Sequence, residues 1–230
     1  MGLFNIFGGK KITPAERRSK SLERLRKEGV KINENLPLLP SSEEVKFKSN
    51  DEIMNRIIAA FTAIQVACSI RNGEDYDEAV QYMIEFMKKC KGDQRYLLDK
   101  ERRILENNYS KQDVIDIIWT YEGVFTLMWA IDYKADKYEY DVSQICSGDA
   151  VIFDMRSIAE GTNCVPHLRE EKVLNMLDLF YCYHWDCVEK QIHPETPIGN
   201  VNFDVVVERR RALEWLISDE NDWFNIDLNT

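Results

Sequence analysis

Residues 181 to 187, "YCYHWDC", bring two cysteines and a histidine close together, a set from which metal sites and thiol–base pairs are built. Whether they can act together is a question of angles, because each residue of a helix advances by about 100°. With Glu170 at zero, Val173, Leu174, Met176, Leu177, Phe180, Tyr181, Cys187 and Val188 fill one apolar arc, and His184 falls in its middle. Cys182 points about 160° away from His184, among Glu171, Asn175 and Asp178 on the side expected to be wet. The three cannot converge on one ion. His184 and Cys187, at i and i+3, supply two ligands, which make a poor zinc site, so the expectation is a core histidine with a buried partner and no metal.

Two other helical stretches raise the same question with charged groups. In the one after Ser110, Glu122 falls among Ile115, Ile118 and Trp129 on the apolar side, either buried or reaching out from its edge. In "VVVERRRALEWLI", Arg209 falls between Val206, Ala212, Leu213 and Leu216, while Arg210, Arg211 and Glu214 face away and Glu208 borders the apolar side beside Trp215. An isolated buried charge costs several kcal/mol even after relaxation, so these groups must find partners. The expected arrangement pairs Arg209 with Glu122 or Glu208 and bonds His184 into the same cluster. Trp119, Tyr121, Trp185 and Trp215 are expected as its aromatic walls.

Those side chains must be positioned by helices, and the chain has the material. At 230 residues, with 44% hydrophobic side chains, it suits one large all-α domain, a bundle of about six to eight helices. Thr13, Pro14 and Gly29 mark the start and stop of a first helix. Ser49 and Glu52 form a capping box ahead of the apolar run Ile57 to Ile70, which is shorter than the roughly 20 residues of a membrane span. Asn72 and Gly73 open the next helix, whose acids Glu74, Asp75, Asp77 and Glu78 read as first-turn carboxylates rather than a metal cluster. Further helices are expected over 94–105, from Ser110 to about Tyr133, over 168–191 and over 204–218. The "AVIFD" stretch around 149–154 reads equally as a short strand or a helical turn.

Charge divides the sequence. Residues 1–31 carry about +6 and form a basic arm with one helix, whereas 32–230, the acidic body, carries about -16, which leaves the chain at -10. The arm could dock on the body or touch anionic lipid, but is first expected as a solvated helix; "LFNIF" at its start could lie on a membrane surface. The acidic total argues against nucleic-acid binding. Six cysteines without a C-x-x-C pair or an export signal point to a reduced, cytoplasmic, soluble protein. No Gly-rich phosphate loop, H-E-x-x-H or G-x-S-x-G is present, and no cofactor is expected. "DENDWF" fails as a calcium loop because Trp223 and Phe224 stand at its fifth and sixth positions.

"INENLP", "WTYEGVFTLMWA", "LREEKVLNMLDLFYCYHW", "VVVERRRALEWL" and the final "DENDWFNIDLNT" together resemble a bacterial family catalogued only as a domain of unknown function. The resemblance runs from about Arg17 to the C-terminus. It emphasises Asn33, Glu34, Asn35, Trp119, Tyr121, Glu122, Arg169, His184, Trp185, Glu208, Arg209, Arg211 and Trp215, and it implies no activity. Three readings of function follow. The first is a non-catalytic interaction module that binds another protein and uses the cluster for stability or fold specificity. The second is a hydrolase or transferase with a cleft of Glu122, His184, Glu208 and Arg209, and the third is a small-ligand sensor.

Overall fold

The uncharged run from Ile57 to Ile70 lies within α2 (Asn50–Asn72), the axis around which much of the protein is wrapped. Ser49 and Glu52 cap its start reciprocally, and Gly73, at φ 71–73° like Gly29, ends it in the left-handed conformation that glycine adopts at no steric cost. Ile53, Ile57, Ala60, Ile64 and Ala67 are all fully buried, and apolar residues lie on every side, as expected of a helix enclosed by others. By length and composition alone α2 could cross a membrane; here it is enclosed by α3 (Tyr76–Lys89), α4 (Asp99–Leu105), α5 (Lys111–Trp119) and α6 (Tyr121–Ala130).

The computed structural model describes residues 12–133, 141–161 and 165–230, and over these the chain is an all-α, single helical body without strands. A second group of helices centres on α8 (Glu170–Ile192), which packs against α1 (Pro14–Glu28) and α9 (Phe203–Trp215). Because α9 also packs on α6, the two groups share one core. α7 (Gly148–Ala159) leans on α6, with Val151 and Met155 buried. Counting α5 and α6 as one bent rod gives eight helices among the described residues.

Several boundaries fall where side chains compete with the helical ladder. The rod expected from Ser110 breaks at Thr120, whose hydroxyl and main-chain N–H both donate to the carbonyl of Ile117, at 2.6 and 3.1 Å. Residues 94–105 divide into a short 3₁₀ turn, Gln94–Tyr96, and α4, because Glu101 reaches back to accept the N–H of Leu98 at 2.8 Å and holds Leu97 and Leu98 extended. Asp75, not Asn72, caps α3 by accepting the N–H of Glu78, and Asp77 and Glu78 occupy its first turn, where the helix dipole favours them. Segment 149–154 is helical and capped by Ser147, so the strand alternative is set aside.

The largest departure concerns α1. It docks on the body, the alternative to a solvated helix: Arg17 and Arg18 are 1% and 5% exposed and with Leu22 and Leu25 press onto α8, while Lys20, Arg26 and Lys27 stay exposed. "LFNIF" lies outside the described residues. One tight point tests the core around α2. A methyl group at Gly92 would stand 2.5 Å from Cγ2 of Ile58 and 2.9 Å from Cγ of Met87. Ile58 is β-branched and stiff, so Gly92→Ala is expected to cost about 1–3 kcal/mol in urea unfolding; an unchanged midpoint would mean that α3 and α2 separate easily there.

Candidate functional site

Glu122 and Arg209 meet inside the protein, on α6 and α9, at 2% and 3% exposure. Arg209 Nε donates to Glu122 Oε2 at 2.8 Å, and the other carboxylate oxygen accepts the main-chain N–H of Cys146 at 2.6 Å. The remaining guanidinium nitrogens donate to the carbonyls of Asp141, at 2.9 Å, and Gln144, at 3.3 Å. The guanidinium also lies 5.6 Å from the ring centroid of Phe125. This ion pair has its hydrogen bonds completed by the loop before α7, which is what makes burying two charges tolerable.

His184 is elsewhere. Its Nδ1 lies 2.6 Å from Nη1 of Arg210, which stacks 4.7 Å from the Tyr181 ring centroid and donates to the carbonyls of Leu228 and Asn229 at 3.0 Å each. A guanidinium only donates, so Nδ1 is the acceptor and the imidazole is neutral. Arg210 is 3% exposed and also holds Glu214 at 3.2 Å. Arg210 and Glu214, expected to face away from the core, are not left to solvent: the C-terminal residues 228–229 fold back over that side of α9 and cover it. Glu208 pairs with Arg211 at 3.4 Å, rather than with Arg209. Consecutive arginines diverge by about 100°, so each serves a different cluster.

The side of α8 read as wet is also covered, in this case by α1. Asp178 is fully buried and accepts from Arg18, at 2.9 Å from Nη2, and from Ser21 Oγ at 2.7 Å. Arg18 further donates to the carbonyls of Leu36 and Pro37, at 2.8 and 2.9 Å. Cys182, at 2% exposure, is enclosed with them, and burial pushes its thiol up to about 12. A third ion pair, Arg56 with Glu101, joins α2 to α4; Arg56 also donates to the carbonyl of Tyr96 at 2.7 Å and stacks on Trp223. Arg18, Arg56, Arg209 and Arg210 thus repeat one arrangement. Each binds a carboxylate and also donates to one or two carbonyls of a segment outside the α-helices, tying that segment to a helix.

α8 holds two titrations of opposite sign. Burial, aided by Arg210, pushes the His184 imidazole down to about 4. Burial pushes the Asp186 carboxyl up to about 6, against the main-chain amide of Lys31; Asp186 is fully buried and neither oxygen completes a well-formed hydrogen bond. The unfolded chain protonates its histidine first, so the stability from neutral His184 is lost as pH falls from about 6.5 to about 4. The folded chain protonates Asp186 first, so stability is gained from about pH 6 down to about 4. Each change amounts to about 1–2 kcal/mol between pH 7 and pH 5, and they offset. Asp186→Asn should therefore lose stability on acidification faster than wild type, and His184→Gln more slowly. Urea midpoints at pH 7 and pH 5 read this, and identical slopes in all three proteins would refute it.

Of the expected aromatic walls, Trp119 and Tyr121 stand by Glu122. Trp185 lies under the ammonium of Lys31, and Trp215 under that of Lys48, with its Nε1 donating to the carbonyl of Asn221. Around Glu122 a cleft of about 340 Å³ opens, lined by Cys68, Arg71, Ile118, Trp119, Tyr121, Glu122, Ile145, Cys146 and Gly148. Its lining is mainly apolar. Gln65 donates to the Tyr121 hydroxyl, and burial pushes that phenol up to about 12, so it stays protonated. No group of three or more histidine, cysteine or acidic side chains among the described residues could hold a metal.

A family model described as "Domain of unknown function (DUF4272)" matches residues 17–226. No curated protein and no solved structure matches the chain.

Proposed function

Because the chain belongs to the DUF4272 family, whose function is unknown, we propose from its own geometry that it is a non-catalytic interaction module of the bacterial cytoplasm. One observation carries this reading: the four groups that a hydrolase or transferase cleft would need are distributed among separate structural bonds. Glu122 and Arg209 hold each other and the 141–146 loop, His184 accepts from Arg210, and Glu208 holds Arg211. A general acid or base must reach the reacting proton, and a nucleophile must have a base beside it. Here the imidazole nitrogen that would accept a proton is occupied by a guanidinium, and the buried thiol of Cys187, like that of Cys182, is pushed up to about 12 by burial. Such thiols are poor nucleophiles at neutral pH. The buried ion pairs serve as fasteners for loops, a role compatible with a scaffold that presents a surface.

A screen of ester, phosphoester and amide substrates at neutral pH tests this. The expected result is turnover indistinguishable from buffer. Turnover that disappears in both Glu122→Gln and His184→Gln, with folding intact by circular dichroism, would replace this reading with the enzymatic one.

A further inference from the structure

The cleft beside Glu122 contains one cation with no intramolecular duty. Arg71, in the last turn of α2, lines it and is exposed, and among the described residues it makes no hydrogen bond or ion pair. Arginines 17, 18, 56, 103, 169, 209 and 210, by contrast, each hold a carboxylate. Nearby acids do not compensate Arg71. Both oxygens of Glu122 are taken by Arg209 and the Cys146 amide, and Glu74 turns to Ser69 and Asn72. Asp149 sits in the first turn of α7, where the helix dipole favours it.

The other walls are Ile118, Trp119, Ile145 and the thiols Cys68 and Cys146. Ile145 is 64% exposed, an aliphatic side chain left uncovered at the opening. Aromatic and sulfur-bearing walls suit a flat ring, which stacks on indole and makes favourable contacts with sulfur at its edge. At about 340 Å³ the cleft lies near the lower end of the range for small-molecule sites, roughly 300–1,000 Å³, and an α-helix some 10 Å across would not enter it.

We propose that this cleft binds a planar aromatic carboxylate, its ring against Trp119 and Ile145 and its carboxylate on the guanidinium of Arg71. A guanidinium and a carboxylate match in planar, two-point geometry, and the apolar walls give the ring a drier environment than water. The site goes beyond the interaction-module reading and does not depend on it, since it asks for binding without chemistry.

Titration calorimetry with 2-naphthoate on the full chain is the test, with 2-acetonaphthone as the uncharged counterpart and 2-naphthylmethylammonium as the cationic one. The expected result is one saturable site for 2-naphthoate, at least tenfold tighter than for the ketone, with no measurable binding of the cation. Arg71→Met, a change at an exposed position, should bring naphthoate down to the ketone's level while leaving the ketone unaffected. Ile145→Ser should weaken both. Absence of saturable naphthoate binding up to millimolar concentration, preference for the cation, or naphthoate affinity unchanged in Arg71→Met would each overturn the proposal. Turnover in the substrate screen bears on the module reading alone, because this titration reads binding with no reaction.

Discussion

Arg209→Ala is expected to lower the unfolding free energy by about 3–5 kcal/mol, the usual cost of leaving a buried ionic partner alone. The guanidinium is 3% exposed and the carboxylate it would abandon is 2% exposed, so water cannot readily substitute for it. The loss reaches beyond the pair. Arg209 also donates to the carbonyls of Asp141 and Gln144, and Glu122 accepts from Cys146, so the segment leading to α7 is fastened through this one site. Denaturant melts read the stability, and hydrogen exchange should show the largest loss of protection in residues 141–159. Glu122→Gln separates charge from shape, since an amide oxygen can still accept the Cys146 N–H while the charged partner of Arg209 is gone; a loss smaller than for Arg209→Ala is expected. A loss of only a few tenths of a kcal/mol in Arg209→Ala would show that the guanidinium is hydrated in solution.

Trp223→Ala should be comparably severe, at about 3–5 kcal/mol, the range for emptying a buried aromatic site. Trp223 is 1% exposed, although it stands in a short 3₁₀ turn, Trp223–Asn225, near the C-terminus. Its ring lies under the Arg56 guanidinium at 4.9 Å and touches α6 where Gly123 has no side chain; a methyl group there would approach the indole to 3.2 Å. The ring therefore covers one face of the buried Arg56–Glu101 pair while filling the notch at Gly123. Its Nε1 has no hydrogen-bond acceptor, so Trp223→Phe removes volume without stranding a partner and should cost clearly less than alanine. Equal losses for Phe and Ala in thermal and urea unfolding would mean that the indole's particular shape, rather than its apolar bulk, is what the site requires.

Much of the secondary structure was legible because its causes are local. Thr13 with Glu16 and Ser49 with Glu52 form capping boxes within four residues, and Gly29 and Gly73 end their helices by a conformation that depends on the glycine alone. The apolar arc of α8 and the burial of Glu122, His184 and Arg209 also follow from a period that is a property of the helix itself. The Glu122–Arg209 pair could be anticipated because two buried opposite charges have few alternatives.

What a residue's own helix cannot reveal is what lies against its other side. Asp178, Cys182 and Asp186 share a polar sector that a helical wheel assigns to water, yet all three are buried, two of them under α1 with its arginines 17 and 18. Arg210 lies outside the apolar arc of α9, yet it is buried between His184 and the returning residues 228–229. Local signals thus placed the ends of α1 and the start of α2, the apolar face of α8, and the entry of ionisable groups into the interior, but not the break at Thr120 or the cap at Asp75. Packing between helices settled which carboxylate each arginine takes, that His184 belongs to Arg210 and not to Glu122, and that Arg71 is left facing an open cleft. The physical reason is range: hydrogen-bonded caps and helical periodicity act over a turn or two, whereas burial of a second face depends on segments 18 residues away in the case of Arg210 and 160 in the case of Asp178, and no local pattern encodes their arrival.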